Sequence, residues 1–270
     1  MQERSARVEE IEMRWLERGS GPPVVFVHGI ATSPELWRHV LPLVSSGRLL
    51  AWEMVGYGRS WRQGEDRDIA VRAQAGYLRA WLDSQQLERA VLVGHDLGGG
   101  VAQILAVEHP DRCAGLVLSN SIAYDSWPIA MVKAIRRLGA VVERLPARML
   151  RSLLRGFIRP GHDNRARAEE SFQEHWRGYD HHRGAAAFIR QVRSLRTQDT
   201  LAIADRLREI DVPARLVWGA ADRFQTIDYG RRLAADLRAE LEPLAEAKHF
   251  VPEDHPEPLA AAVEHVLLRL

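Results

Sequence analysis

Residues 90 to 103 read Ala-Val-Leu-Val-Gly-His-Asp-Leu-Gly-Gly-Gly-Val-Ala-Gln and set a carboxylate among glycines, between two apolar runs. Ala90 to Val93 is β-branched and apolar, which predicts a short buried strand. Val101 to Val107 predicts a helix that stops at His109-Pro110, because proline cannot continue it. The junction is then a sharp strand-to-helix turn. Such a turn holds its central residue in a strained backbone conformation and leaves room only for small neighbours. Gly94, Gly98 and Gly99 supply that room, and Asp96 is the residue the turn would present. A glycine-rich turn can instead cradle phosphate, but no Lys-Ser or Lys-Thr follows and the spacing is not G-x-G-x-x-G.

The turn resembles the nucleophile elbow of α/β-hydrolases, G-x-Nu-x-G, with aspartate where serine is usual. Other segments extend the resemblance in the chain order of that family. His28-Gly29-Ile30-Ala31 follows the strand Val24 to Val27 and resembles the oxyanion loop. The resemblance implies that the backbone N–H groups of Ile30 and Leu97 bind developing negative charge. His28 reads as a structural histidine that shapes this loop. Glu53-Met54-Val55-Gly56-Tyr57-Gly58-Arg59-Ser60 resembles D-x-x-G-x-G-x-S, with glutamate for aspartate, and reads as structural. Gly219-Ala220-Ala221-Asp222, after Leu216-Val217-Trp218, resembles W-G-x-x-D and makes Asp222 the acid of the triad. His249-Phe250 with Asp254 resembles G-H-F-x-x-x-D and makes His249 the base, although Lys248 replaces the usual glycine. His255 lies in a Pro- and acid-rich stretch that reads as a surface helix entry.

An aspartate changes the chemistry this constellation can perform. It is ionised near neutral pH and needs no base to become a nucleophile. Attack on a carboxylic ester would give a mixed anhydride, whereas attack on a saturated carbon with a leaving group gives an alkyl ester. His249, oriented by Asp222, would then activate water to hydrolyse that ester. This resembles epoxide hydrolases most, with haloalkane dehalogenases next. An epoxide needs an acidic O–H over its oxygen. Tyr179 and Tyr124 are the candidates, with His175 one helical turn from Tyr179 and Trp176 beside it. A halide needs N–H donors. The positions that supply them in dehalogenases are Leu97 and Ile30 here, so that site is incomplete unless Trp127 or Trp176 contributes. Leu97 and Gly100 stand where fluoroacetate dehalogenases carry carboxylate-binding arginines. A hydrolase-fold ligand receptor is the reading from another functional class.

The remaining elements must position these residues. The chain has 270 residues, 46% hydrophobic, enough for one large core with an insertion. Expected elements are an opening strand over 6–16, a helix capped by Ser33 to about Val44, a strand over 49–55, and a helix over 69–85. Strands at 114–118, 214–218 and 240–244 and helices at 228–237 and 258–270 follow. The expected architecture is an α/β-hydrolase fold, a mostly parallel sheet with helices on both faces. Its core comprises 1–124 and 206–270, with an inserted helical cap over 125–205. That insert carries fifteen basic and nine acidic residues, which read as a solvated surface. The formal net charge of +1 implies no polyanion partner, and the sequence contains no membrane-length apolar run and no secretory pattern. Cys113 has no partner for a disulfide. The expectation is a cytoplasmic enzyme with a small apolar substrate, no cofactor, no metal, no nucleic acid and no membrane contact; a homodimer stays open.

Overall fold

The computed structural model describes residues 1–270. Eight strands form one sheet: β1 (Gln2–Val8), β2 (Ile11–Ser20), β3 (Pro23–Val27), β4 (Gly47–Trp52), β5 (Ala90–His95), β6 (Cys113–Ser119), β7 (Ala214–Gly219) and β8 (Glu240–Leu244). Their order is β1-β2-β4-β3-β5-β6-β7-β8. β1 and β2 are antiparallel to each other, β2 is antiparallel to β4, and β3 to β8 run parallel. β5 is the strand that ends in the glycine turn. It lies mid-sheet, buried along its whole length, because both faces of the parallel region are covered.

The single strand expected over 6–16 is a hairpin, in which the alternation continues through a turn at Glu9, where φ is 53°. Inward-facing Ile11, Met13 and Trp15 of β2 join the core, and Trp15 meets Trp81 edge-on at 5.3 Å. The helix expected from Ser33 is only a 3-10 turn, Pro34–Trp37. Ser33 makes no capping bond, because its hydroxyl lies 2.8 Å from Glu35 Oε2 and 2.9 Å from His175 Nδ1.

The helices are α1 (Val71–Ser84), α2 (Leu97–Glu108), α3 (Ala130–Arg137), α4 (Gly139–Val142), α5 (Ala147–Ile158), α6 (Arg165–Trp176), α7 (Gly184–Ser194), α8 (Gln198–Leu201), α9 (Ile227–Asp236), α10 (Val251–Asp254) and α11 (Pro256–Leu267). Helices α3 to α8 interrupt the strand–helix alternation between β6 and β7. No helix is long and apolar enough to cross a membrane. α2 is buried from Leu97 to Val107, with Gln103 the one polar side chain in that stretch, as a helix held against the sheet must largely be. It begins at Leu97 rather than Val101, since the Asp96 carbonyl already accepts the N–H of Gly99 at 3.1 Å.

Register brings the chemistry to one edge. Val27 pairs with Gly94, His95 with Ser119, and Ser119 with Val217. The C-terminal ends of β3, β5, β6 and β7 are therefore level. In open parallel sheets this edge, where the loops leave the strands, is the place for ligands. The glycines allow the close approach. A Cβ at Gly98 would sit 2.0 Å from the Val27 carbonyl oxygen, and one at Gly99 would sit 1.9 Å from Ser121 Oγ.

Candidate active site

Asp96 has φ 51° and ψ −120°, a strained conformation for a residue with a side chain. The turn is stabilised by its own carbonyl, which also accepts the Ile122 N–H at 3.1 Å. The side chain lies against the loop that follows β3. Ile30 N–H donates to Asp96 Oδ2 at 3.0 Å, and the Leu97 N–H also supports the carboxylate. Gly29 makes this contact possible, since a Cβ there would fall 2.5 Å from Oδ2. Burial pushes the Asp96 carboxyl above its ordinary range, while His249 and the two N–H groups pull it back.

His249 leaves the loop after β8. Its own N–H and that of Phe250 both donate to the Gly161 carbonyl at 3.0 Å, which fixes the loop against the segment after α5. His249 Nδ1 donates to Asp222 Oδ2 at 2.8 Å, which leaves Nε2 free to act on the cavity side. Burial alone would lower the His249 pKa, but the Asp222 and Asp96 carboxylates raise it above its ordinary value. Asp222 is fixed by two more donors. Asn120 Nδ2 reaches Oδ2 at 2.7 Å, and Phe224 N–H reaches Oδ1 at 2.7 Å. Asn120 is held in turn, with Oδ1 accepting the Gly219 N–H at 3.1 Å. Sequence reasoning assigned Asn120 no role; its only signal was its place at the end of β6.

Asp96, His249, Ile30 and Leu97 line one cavity. Its other walls come largely from the loop before α3 and from α5, chiefly Trp127, Pro128, Ile129 and Phe157. A profile of the alpha/beta hydrolase fold matches residues 22–256. The chain belongs to that family. A haloalkane dehalogenase 2 of Mycobacterium bovis is 27% identical over 263 residues, spanning 93% of this chain and 90% of that protein. An epoxide hydrolase B of Mycobacterium tuberculosis is 40% identical over 99 residues, or 36% of this chain and 28% of that protein. The crystal structure of an alpha/beta hydrolase fold protein from Burkholderia ambifaria is 26% identical, with a TM-score of 0.90 over 96% of each chain.

The side chains expected to complete the site of this α/β-hydrolase from its helical segment lie elsewhere. The Tyr179 hydroxyl donates to Gln191 Oε1 at 2.6 Å, and Gln191 Nε2 donates onward to the Gly56 carbonyl at 2.9 Å. The Tyr124 hydroxyl donates to Asp236 Oδ2 at 2.5 Å, beneath the Arg232 guanidinium. His175 faces Ser33 and Glu253, and Trp176 stacks with Phe172 at 6.0 Å. None of the four lines the cavity over Asp96. Trp127 does, but its Nε1–H is bound to Thr200 Oγ1 at 2.7 Å and is not free for a halide.

Two expected structural residues are tied into loops. His28 Nε2 accepts the Met54 N–H at 3.1 Å, and burial pushes its pKa down to about 3, so the ring is neutral. Glu53 accepts the Ser60 and Arg59 N–H groups at 2.7 and 3.2 Å, and burial pushes it up to about 7. A third anchor had no sequence signal beyond its neighbour Asp254. Glu253 is fully buried and pairs with Arg38, and its Oε2 accepts the Ser171 hydroxyl at 2.6 Å. His175 Nε2 lies 3.3 Å from it and His162 Nε2 3.5 Å. Burial would raise its pKa, but His175, Arg38 and His162 hold it far below the usual carboxylate range. Glu253 thus joins α6, the turn after β3 and the loop bearing His249.

Proposed function

We propose that this protein is an epoxide hydrolase that opens a compact, apolar epoxide to a diol through a covalent ester on Asp96. The observation that carries the reading is the carboxylate at the strained turn, with Ile30 N–H on one oxygen and the His249–Asp222 pair at the same cavity. Asp96 Oδ1 attacks a ring carbon, the carbon–oxygen bond breaks, and its electron pair stays on the ring oxygen. The alkoxide takes a proton from the His249 imidazolium, the form that Asp222 and Asp96 favour. Esterification removes the Asp96 charge and, with it, one influence that keeps His249 protonated.

Neutral His249 then takes a proton from water, and the hydroxide adds to the ester carbonyl carbon derived from Asp96. Charge develops on Oδ2, where the Ile30 N–H already lies, with the Leu97 N–H also supporting the carboxyl group. Collapse releases the diol, whose second hydroxyl takes the remaining water proton. Asp96 returns as carboxylate and His249 as imidazolium. The local likeness to an epoxide hydrolase supports this reading, as does the engaged Trp127 N–H, which leaves a halide without that donor. In the same reading residues 125–205 act as the cap over the site.

The His249→Gln variant tests it. Water can still protonate the alkoxide there, but nothing activates water toward the ester. Incubation with styrene oxide should give an adduct of the whole substrate mass on the peptide containing Asp96. An adduct with a bromoalkane alone, lighter than the substrate by hydrogen bromide, would assign the protein to the dehalogenases. No adduct with any substrate that the wild type turns over would contradict the covalent route.

A further inference from the structure

Among the side chains lining the cavity, those of Asp96, His249 and Gln225 carry polar atoms besides the engaged Trp127 N–H. Asp96 is bound by Ile30 and His249 by Asp222. Gln225 differs from both. It is 3% exposed, and its Oε1 has no hydrogen-bond partner. Buried amides are normally satisfied, so an unengaged one on a residue that lines the cavity marks a place for a ligand's polar atom. Its backbone is fixed on both sides. The Phe224 N–H is bound to Asp222 at 2.7 Å, the Gln225 carbonyl accepts Trp218 Nε1–H at 2.8 Å, and α9 begins two residues later. The amide therefore extends from the same rigid loop that carries the triad acid.

We propose that the Gln225 side-chain amide binds the oxygen of the substrate epoxide and donates an N–H to it as the ring opens. It occupies the role expected of a tyrosine hydroxyl, which the engagement of Tyr179 and Tyr124 leaves unfilled. The hydrogen bond at Gln225 runs through its backbone carbonyl, so the side-chain Nε2 is unengaged and available to donate to the ligand. The amide keeps its proton. It holds the alkoxide while the ring carbon–oxygen bond breaks, and the proton that completes the hydroxyl comes from His249. The remaining walls near it, Phe224, Phe157, Leu195 and Trp127, are apolar, so the substrate class is an epoxide with one compact aliphatic or aryl substituent. The assignment rests on the reading of Asp96 as nucleophile.

The test measures adduct formation on Asp96 with styrene oxide, by quenching and intact-protein mass spectrometry, in His249→Gln with and without Gln225→Met. The Met variant should form the adduct about 100–1,000-fold more slowly, the scale of one lost oxyanion donor. Its Tm should not fall, because the amide has no partner in the protein to lose. An unchanged rate, with the adduct still on Asp96, overturns the role of Gln225 and leaves the covalent reading standing. If Gln225→Met does not fold, Gln225→Glu replaces it. Its carboxyl can donate only when protonated, so its rate relative to the parent should climb as pH falls from 8 to 5, and a constant ratio overturns the proposal. No adduct in the parent variant overturns both.

Discussion

Asn120 Nδ2 lies 2.7 Å from Oδ2 of Asp222, the same oxygen that receives His249 Nδ1 at 2.8 Å. The amide thus helps to hold the carboxylate that orients the imidazole. Asn120→Ala should leave alkylation of Asp96 nearly unchanged and slow ester hydrolysis by about 10-fold, less than the ~10²–10⁴-fold that losing the acid or base itself costs. Pre-steady-state mass spectrometry would then show ester accumulating in wild-type His249 background. Equal loss in both steps would mean that Asn120 does more than orient the acid.

Tyr179→Phe should not slow ring opening, because the hydroxyl is spent on Gln191 at 2.6 Å. It should cost stability instead, about 1 kcal/mol, since Gln191 Oε1 loses its donor in a buried place. Single-turnover rates and denaturant midpoints separate the two. A slowed alkylation with unchanged stability would return this tyrosine to the active site.

Glu253→Gln should lower stability by about 3 kcal/mol at pH 7, because it strips the buried one of the two carboxylate partners of Arg38, the other being Glu170. The pH dependence has a definite sign. The folded-state pKa of Glu253 is depressed, so its stabilisation is complete above the unfolded value of about 4.3 and is lost as pH falls toward the folded one. Wild-type Tm should therefore fall more steeply below about pH 4.3 than that of the variant. Parallel curves, or an unchanged Tm at pH 7, would show that the network contributes little.

The pH profile of kcat/KM should be bell-shaped. Asp96 must be ionised to attack, and burial raises its pKa, so the acid limb should lie above the ordinary aspartate value of about 3.9. Protonated His249 delivers the proton of the first step faster than water can, and Asp222 and Asp96 raise its pKa, so the basic limb should lie above the ordinary histidine value of about 6.5. Steady-state rates from pH 4 to 10 would check both limbs. A basic limb below the ordinary histidine value would show that the imidazolium is not the proton donor.

The elbow could be read from sequence because three glycines and an apolar strand impose one geometry on Asp96, and the structure gives that residue φ 51°. The meeting of Asp222 with His249 could be anticipated because short motifs follow strands whose order fixes where they end. The first hairpin could not, since Glu9-Glu10 carries no Gly or Pro to break the alternation. Side-chain direction in the helical segment was also hidden. Tyr124 has φ 52° and meets Asp236, over a hundred positions away, which no local periodicity encodes. Gln225 gave no signal, because a polar residue in a loop is expected to face water.

The source of the oxygen added to product tests the central claim most directly. Water attacks the ester carbon derived from Asp96, so the diol keeps an aspartate oxygen in the first turnover. With enzyme in excess over styrene oxide in heavy-oxygen water, one turnover should label the peptide containing Asp96 and leave the diol unlabelled. A labelled diol and an unlabelled Asp96 would contradict the account, and Asp96 would then be a general base acting on water.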